Sequence, residues 1–144
     1  MIRGSPSHVD LTVTDLARSV RFYDQVLGEL GYKRLLEEGA GAPCWGVSDS
    51  ADGTFGIALQ CASPDGASRP HDRYAPGLHH LAFHADSRTD VEAFHKFLVS
   101  ISATILDPPR EYDYAPGYYA VFFADPDGLK LEVVHEPELR GRAG

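Results

Sequence analysis

The sequence nearly repeats itself at an offset of 72 residues. At that offset His8 falls on His80, Phe22 on Phe94 and Gln60 on Glu132. Because the offset holds without a gap at three separate places, we expect two copies of one supersecondary unit. In each copy the histidine and its Gln or Glu partner lie 52 positions apart, so the repeat also pairs side chains that can bind a metal.

The length of 144 residues fits one domain with a core of its own. We expect a single domain over 1–144, with a first module at about 7–61, a connection rich in Pro, Gly, Ser and Asp at 62–77, and a second module at about 78–136. The two modules are then halves of one core rather than independent domains.

Charge and composition exclude several classes of partner. The formal net charge of −8 argues against nucleic acid, whose binding needs a basic stripe. No segment approaches the roughly 20 apolar residues of a membrane span, and the N-terminus lacks the apolar run of a signal peptide. Cys44 and Cys61 are too few for a disulfide framework. We therefore expect a cytoplasmic protein whose partner is a small molecule.

Hydrophobic periodicity predicts the order βαβββ twice, and so an α+β fold. In each half a helix with apolar residues at helical spacing follows the first strand, and Asp15 and Ser87 are the expected N-caps. The first half is predicted as strand 8–14, helix 16–30 and strands 32–36, 44–47 and 55–61. The second half is predicted as strand 78–85, helix 89–100 and strands 103–106, 119–124 and 129–135.

The repeated His and Gln or Glu positions form a candidate metal site. If a pseudo-two-fold axis relates the copies, it brings His8 to His80 and Gln60 to Glu132. Two imidazoles, a carboxylate and an amide oxygen suit one divalent transition metal (Fe, Mn, Zn, Ni or Co) and suit Mg or Ca less well. A single histidine at a strand start is more typically structural, so the hypothesis depends on the matched offset.

Three segments carry a resemblance to the vicinal oxygen chelate superfamily, which includes glyoxalase I, methylmalonyl-CoA epimerase, extradiol dioxygenases and bleomycin-resistance proteins. They are the stretches 8–16 with 21–28, 78–83 and 124–132. The resemblance implies two βαβββ modules whose curved mixed sheet encloses a metal and ligand cleft. It implies that His8, His80 and Glu132 are metal ligands, with Gln60 as the fourth, and that the protein is a homodimer.

Other residues are candidates for catalysis. His84 shares the strand face of His80 and is a candidate proton shuttle, whereas alternation along the strand puts His79 on the opposite face, in a structural role. Glu132 is a candidate base that moves a proton next to a carbonyl.

Aromatic residues are the candidates for substrate binding. Four tyrosines fall within eight positions starting at Tyr112. That loop can supply an aromatic wall, and we name Tyr114, Tyr119 and the distant Trp45 as substrate-binding candidates.

Three functions remain open at this point. A bound metal and Glu132 suit a lyase or isomerase, while Fe(II) or Mn(II) held by two histidines and a carboxylate suits a dioxygenase. Against the dioxygenase, the chain has one module pair, and the additional His and Tyr of extradiol enzymes are not found. The alternative is a metal-free protein that sequesters a cationic drug, as bleomycin-resistance proteins do, and the acidic charge suits such a ligand.

Overall fold

The computed structural model describes residues 4, 6–36, 41–49 and 53–138. The chain divides into two compact units, which we call unit 1 (Met1–Arg69) and unit 2 (Pro70–Gly144). None of the described helices combines the length and the apolar composition that a bilayer span requires.

Unit 1 is a four-stranded mixed sheet with a helix packed against it. Its elements are β1 (His8–Val13), α1 (Leu16–Glu29), β2 (Lys33–Arg34), β3 (Cys44–Asp49), β4 (Gly53–Cys61) and α2 (Pro64–Ala67). The strand order is β1-β4-β3-β2, and β1 runs parallel to β4 while the other neighbours are antiparallel. The helix α2 is a single turn within the segment that composition marked as a connection.

Unit 2 repeats this architecture. Its elements are β5 (His80–His84), α3 (Arg88–Ser100), β6 (Thr104–Glu111), β7 (Tyr119–Ala124) and β8 (Lys130–His135). The strand order is β5-β8-β7-β6, again with only the first pair parallel. The predicted α+β class and the double βαβββ order are confirmed.

Local sequence explains where the two long helices begin. The Asp15 side chain accepts a hydrogen bond from the backbone N–H of Arg18, and the Ser87 side chain accepts one from Asp90. Both are N-caps that satisfy a backbone donor which a helix start leaves unpaired. After α1, Gly31 adopts a φ of 84°, a left-handed conformation that favours glycine.

Each helix buries an apolar stripe. The buried apolar residues are Tyr23, Val26 and Leu27 in α1, and Val91, Phe94 and Leu98 in α3. Helix α3 packs against β6, β7 and β8, and α1 packs against β2 and β4. Since side chains alternate along a strand, each sheet has one face toward its helix and a second face that carries His8 or His80.

Strand β6 is longer than periodicity predicted, because it continues past Leu106 to Glu111. It contains Pro108 and Pro109, which cannot donate to a neighbouring strand. The sheet accommodates them because β6 is an edge strand, and its pairing with β7 shifts register between Ile105 and Asp107 and again before Arg110.

The two parallel strand pairs differ in register. In unit 2, His80 lies opposite Lys130, so Glu132 is two residues further along β8. In unit 1, His8 lies opposite Gly56, so Gln60 is four residues further along β4. The sequence offset of 72 therefore matches β1 to β5, but the positions that match in β4 and β8 are displaced from it by two residues.

Removing the α1 cap tests this account of the fold. We expect Asp15→Ala to lower the free energy of unfolding by about 1 kcal/mol, because the N–H of Arg18 loses its acceptor. Asp15→Asn keeps an acceptor oxygen and should lose only a small part of that. Urea denaturation measures both, and an equal loss in the two variants would contradict the capping role.

Candidate functional site

Two predicted ligands meet in unit 2. Glu132 lies in the central strand β8, opposite Ala82 of β5 and Phe122 of β7, on the face that also carries His80. His80 Nε2 is 3.1 Å from Glu132 Oε2. The His80 side chain is 35% exposed and that of Glu132 is 0% exposed, so the imidazole stands between the carboxylate and solvent.

The two oxygens of Glu132 have different environments. Oε1 accepts a hydrogen bond from the hydroxyl of Tyr118. Oε2 is buried and receives no hydrogen bond from the residues that the structure describes, although it lies close to His80. A buried polar atom left unsatisfied costs about 1–3 kcal/mol, and more if it is charged. The site therefore retains a binding capacity that its own side chains do not use.

The contact of 3.1 Å between His80 and Glu132 is an ion pair only when His80 is protonated. Burial lowers the pKa of His80 below its ordinary value, and the Lys130 ammonium lowers it further. Burial raises the pKa of Glu132, and the hydrogen bond from Tyr118 offsets only part of this. Both shifts favour the neutral form of the group, so burial outweighs the mutual attraction that the charged forms would have.

His79 lies beside His80 and not on the opposite face, so that prediction was wrong. His79 precedes β5, where the alternation of a strand does not apply. Its Nδ1 is 2.7 Å from Nδ1 of His80, and the ring centroids are 5.0 Å apart. This contact occupies the Nδ1 of His80 and leaves Nε2 for a ligand.

In unit 1, His8 and Gln60 do not form a matching pair. His8 is exposed and its Nδ1 is 3.2 Å from the Ser7 hydroxyl. The Nε2 of Gln60 donates to Asp10 Oδ2 at 2.8 Å. Because of the register slip, Ala58 occupies the position that matches Glu132. The symmetry argument for Gln60 as a ligand is thereby removed.

The substrate-binding candidates lie in different environments. Trp45 is 2% exposed, packs on Tyr23 of α1 and donates through Nε1 to Asp24 at 2.8 Å, which makes it part of the unit 1 core. Tyr119 donates to Glu92 of α3 and so lies on the helix side of its sheet. Neither Trp45 nor Tyr119 therefore lines an open pocket within its own unit.

Tyr114 is 70% exposed and stacks on Tyr112, with ring centroids 5.3 Å apart and planes at 10°. Of the aromatic candidates it is the one with a free ring surface. His84 is exposed at the end of β5, on the same face as His80, about 13 Å from it at the usual strand rise.

Sequence reasoning missed Tyr118, the residue that contacts Glu132. The sequence held only a weak signal for it: Tyr118 precedes β7, where alternation need not apply, as His79 shows, but it is in phase with Phe122, which lies opposite Glu132. Tyr119 is out of phase with them and faces the helix.

The donor set of unit 2 fits a divalent transition metal. The Nε2 atom of a partly exposed imidazole faces an oxygen of a buried carboxylate, and these are donor types that such ions select. Within the described ranges of neither unit do three His, Cys, Asp or Glu side chains gather as a metal cluster. Within the described part of unit 2, His80 and Glu132 are therefore the two side chains that offer potential ligand atoms to one ion.

Comparison with known proteins agrees with this architecture. Protein YqjT of Bacillus subtilis is 35% identical over 128 residues, covering 88% of this chain and 95% of YqjT. The 2-epi-5-epi-valiolone epimerase of an Actinomyces species is 31% identical and covers 94% of this chain and 84% of the epimerase.

A solved structure from Bacillus halodurans superposes with a TM-score of 0.76 at 30% identity, covering 92% of this chain and 96% of that one. The profile of the Glyoxalase/Bleomycin resistance protein/Dioxygenase superfamily matches residues 5–133. The chain belongs to that superfamily.

Proposed function

We propose that the protein is a divalent-metal-dependent enzyme of the lyase or isomerase type, acting on a small substrate that binds through two adjacent oxygens. The observation that carries this proposal is the buried Glu132 with an unbonded Oε2 at 3.1 Å from His80 Nε2. A cation bound between the buried carboxylate oxygen and the imidazole nitrogen would satisfy both groups. The similarity to an epimerase supports the same class of reaction.

The proposed ligands are His80 and Glu132 from unit 2 and His8 from unit 1. His8 is carried over from the sequence, where it matches His80. Gln60 is left out of this set because its register position differs from that of Glu132. A metal held there would act as a Lewis acid on a carbonyl or hydroxyl oxygen of the substrate.

The remaining steps belong to the side chains of the chain. Glu132 is also the proposed base and would accept the proton through Oε2, since Tyr118 occupies Oε1. Burial raises the pKa of Glu132 and so makes it a better acceptor for a proton next to a carbonyl. The exposed ring of Tyr114 offers a surface on which the substrate can lie. His84, exposed on the same strand face, is the proposed route of the proton to solvent.

The metal content of single variants distinguishes the proposed ligands from residues that do not bind the metal. We expect His80→Ala to lose metal to below about a tenth of the wild-type content, because removing one of few protein ligands costs most of the affinity. Gln60→Ala should keep its metal. Elemental analysis of protein loaded anaerobically with Fe(II), Mn(II), Ni(II) or Zn(II) measures the metal per protomer.

His95→Ala, a histidine change on helix α3, is the control for loss of an imidazole as such. Equal metal content in His80→Ala and His95→Ala would contradict the assignment. Loss of metal in Gln60→Ala would restore Gln60 to the ligand set.

Proton transfer can be tested without knowing the natural substrate. We expect the metal-loaded protein to exchange hydrogen for deuterium, in D2O, at the carbon next to the carbonyl of small hydroxyketones such as dihydroxyacetone. Glu132→Gln should slow this exchange by about 100-fold or more, because the base is lost. NMR measures the exchange, and an unchanged rate in Glu132→Gln would contradict the role of Glu132.

Binding without metal would identify the alternative function. If metal removal by a chelator leaves the affinity for a cationic drug such as bleomycin unchanged and tight, the protein is a sequestering protein. We expect no tight binding of that kind.

A further inference from the structure

We infer that Tyr118 is a positioning residue that determines which oxygen of Glu132 is presented to the metal. This inference rests on the proposed function, since it requires that a metal binds at His80 and Glu132. It adds a residue that neither the sequence pattern nor the similarity to known proteins assigned.

The hydrogen bond of Tyr118 makes the two carboxylate oxygens inequivalent. Its hydroxyl donates to Oε1, while Oε2 is left beside His80 Nε2. To exchange the two oxygens, the carboxylate would have to break its only hydrogen bond among the described residues, in a side chain that is 0% exposed. Glu132 is therefore held as a ligand through one oxygen.

The ring of Tyr118 is itself fixed by other aromatic rings. It meets Tyr114 edge to face at a centroid distance of 5.2 Å and Tyr112 at 6.3 Å. Tyr112 in turn meets Phe122 edge to face at 5.3 Å, and Phe122 lies opposite Glu132 in the sheet. The hydroxyl is thus placed by a packed cluster rather than by a free loop.

Backbone hydrogen bonds close the same loop. The N–H of Tyr112 donates to the carbonyl of Tyr118 at 3.0 Å, and the N–H of Tyr118 donates to the carbonyl of Ala115 at 3.1 Å. Since the backbone and the ring of Tyr118 are both held, the direction of its O–H bond is set before any ligand arrives. Residues that hydrogen-bond a metal ligand typically contribute about 10-fold to 100-fold in metal affinity.

The chain supplies a matched control at the next position. Tyr119 also donates its hydroxyl to a carboxylate, that of Glu92, but on the helix side of the sheet. Tyr119→Phe removes the same atom and the same kind of bond as Tyr118→Phe. A difference between the two variants therefore depends on which carboxylate has lost its hydrogen bond, and not on the loss of a hydroxyl as such.

The test is the dissociation constant of Co(II), measured by competition with a chromophoric chelator, together with the visible absorption of bound Co(II). We expect Tyr118→Phe to bind Co(II) at least about 10-fold more weakly than wild type and to show a changed spectrum. Tyr119→Phe should stay within about twofold of wild type, since its partner Glu92 is not a proposed metal ligand. Tyr114→Ala removes a ring that packs on Tyr118 but keeps the Tyr118 hydroxyl, so its affinity for Co(II) should fall between those of the other two variants.

Three results would overturn the inference. An unchanged affinity and spectrum in Tyr118→Phe would overturn it while leaving the metal site intact. Equal weakening in Tyr118→Phe and Tyr119→Phe would assign the effect to stability, which urea denaturation of both variants measures. A wild-type protein that binds no Co(II) would overturn the proposed function and this inference together.

Discussion

The site depends on one constraint, the burial of the Glu132 carboxylate in the middle of a β-sheet. Strand β8 is flanked on both sides by paired strands, and its neighbours on the Glu132 face include the buried Ala120, Phe122 and Val134. A carboxylate in such surroundings must be protonated, hydrogen-bonded or bound to a cation. Tyr118 satisfies one oxygen, and the other is directed at His80. The aromatic cluster, the histidine pair and the proposed metal all follow from this arrangement.

The double βαβββ architecture explains how each sheet can carry polar side chains on one of its faces. In each unit the helix covers one face of the sheet and leaves the other face to carry polar side chains without breaking the core. The two faces are not equivalent in chemistry. That of unit 1 presents His8, Asp10 and Gln60, all exposed, whereas that of unit 2 presents a buried carboxylate with aromatic neighbours. The two copies therefore share their strand order, while the buried carboxylate lies in the second copy.

Much of the fold could be predicted from the sequence, because its signals are local. Caps at Asp15 and Ser87 and apolar spacing in the helices indicated the element order and most boundaries. The register mismatch between Gln60 and Glu132 could not be predicted, since strand register depends on the lengths of loops and on backbone pairing across the sheet. A gapless alignment of the two halves concealed a slip of two residues at β4 and β8.

The candidate site was predicted in part for the same reason. The choice of Tyr114 and Tyr119 from the tyrosine-rich loop passed over Tyr118, because residue type alone does not tell which ring faces the carboxylate. His79 was misplaced because a rule for strands was applied to a residue before the strand. The ligand roles of His8, His80 and Glu132 stay predictions, and the geometry of unit 2 gives those of His80 and Glu132 their physical basis.

Anomalous diffraction from a crystal of the protein soaked in Zn(II) shows directly whether His80 and Glu132 bind a metal. We expect a peak about 2.0–2.2 Å from both His80 Nε2 and Glu132 Oε2, with Oε1 still accepting the hydrogen bond of Tyr118. Density that shows His80 hydrogen-bonded directly to Glu132, with no peak between them under saturating metal, would contradict this expectation.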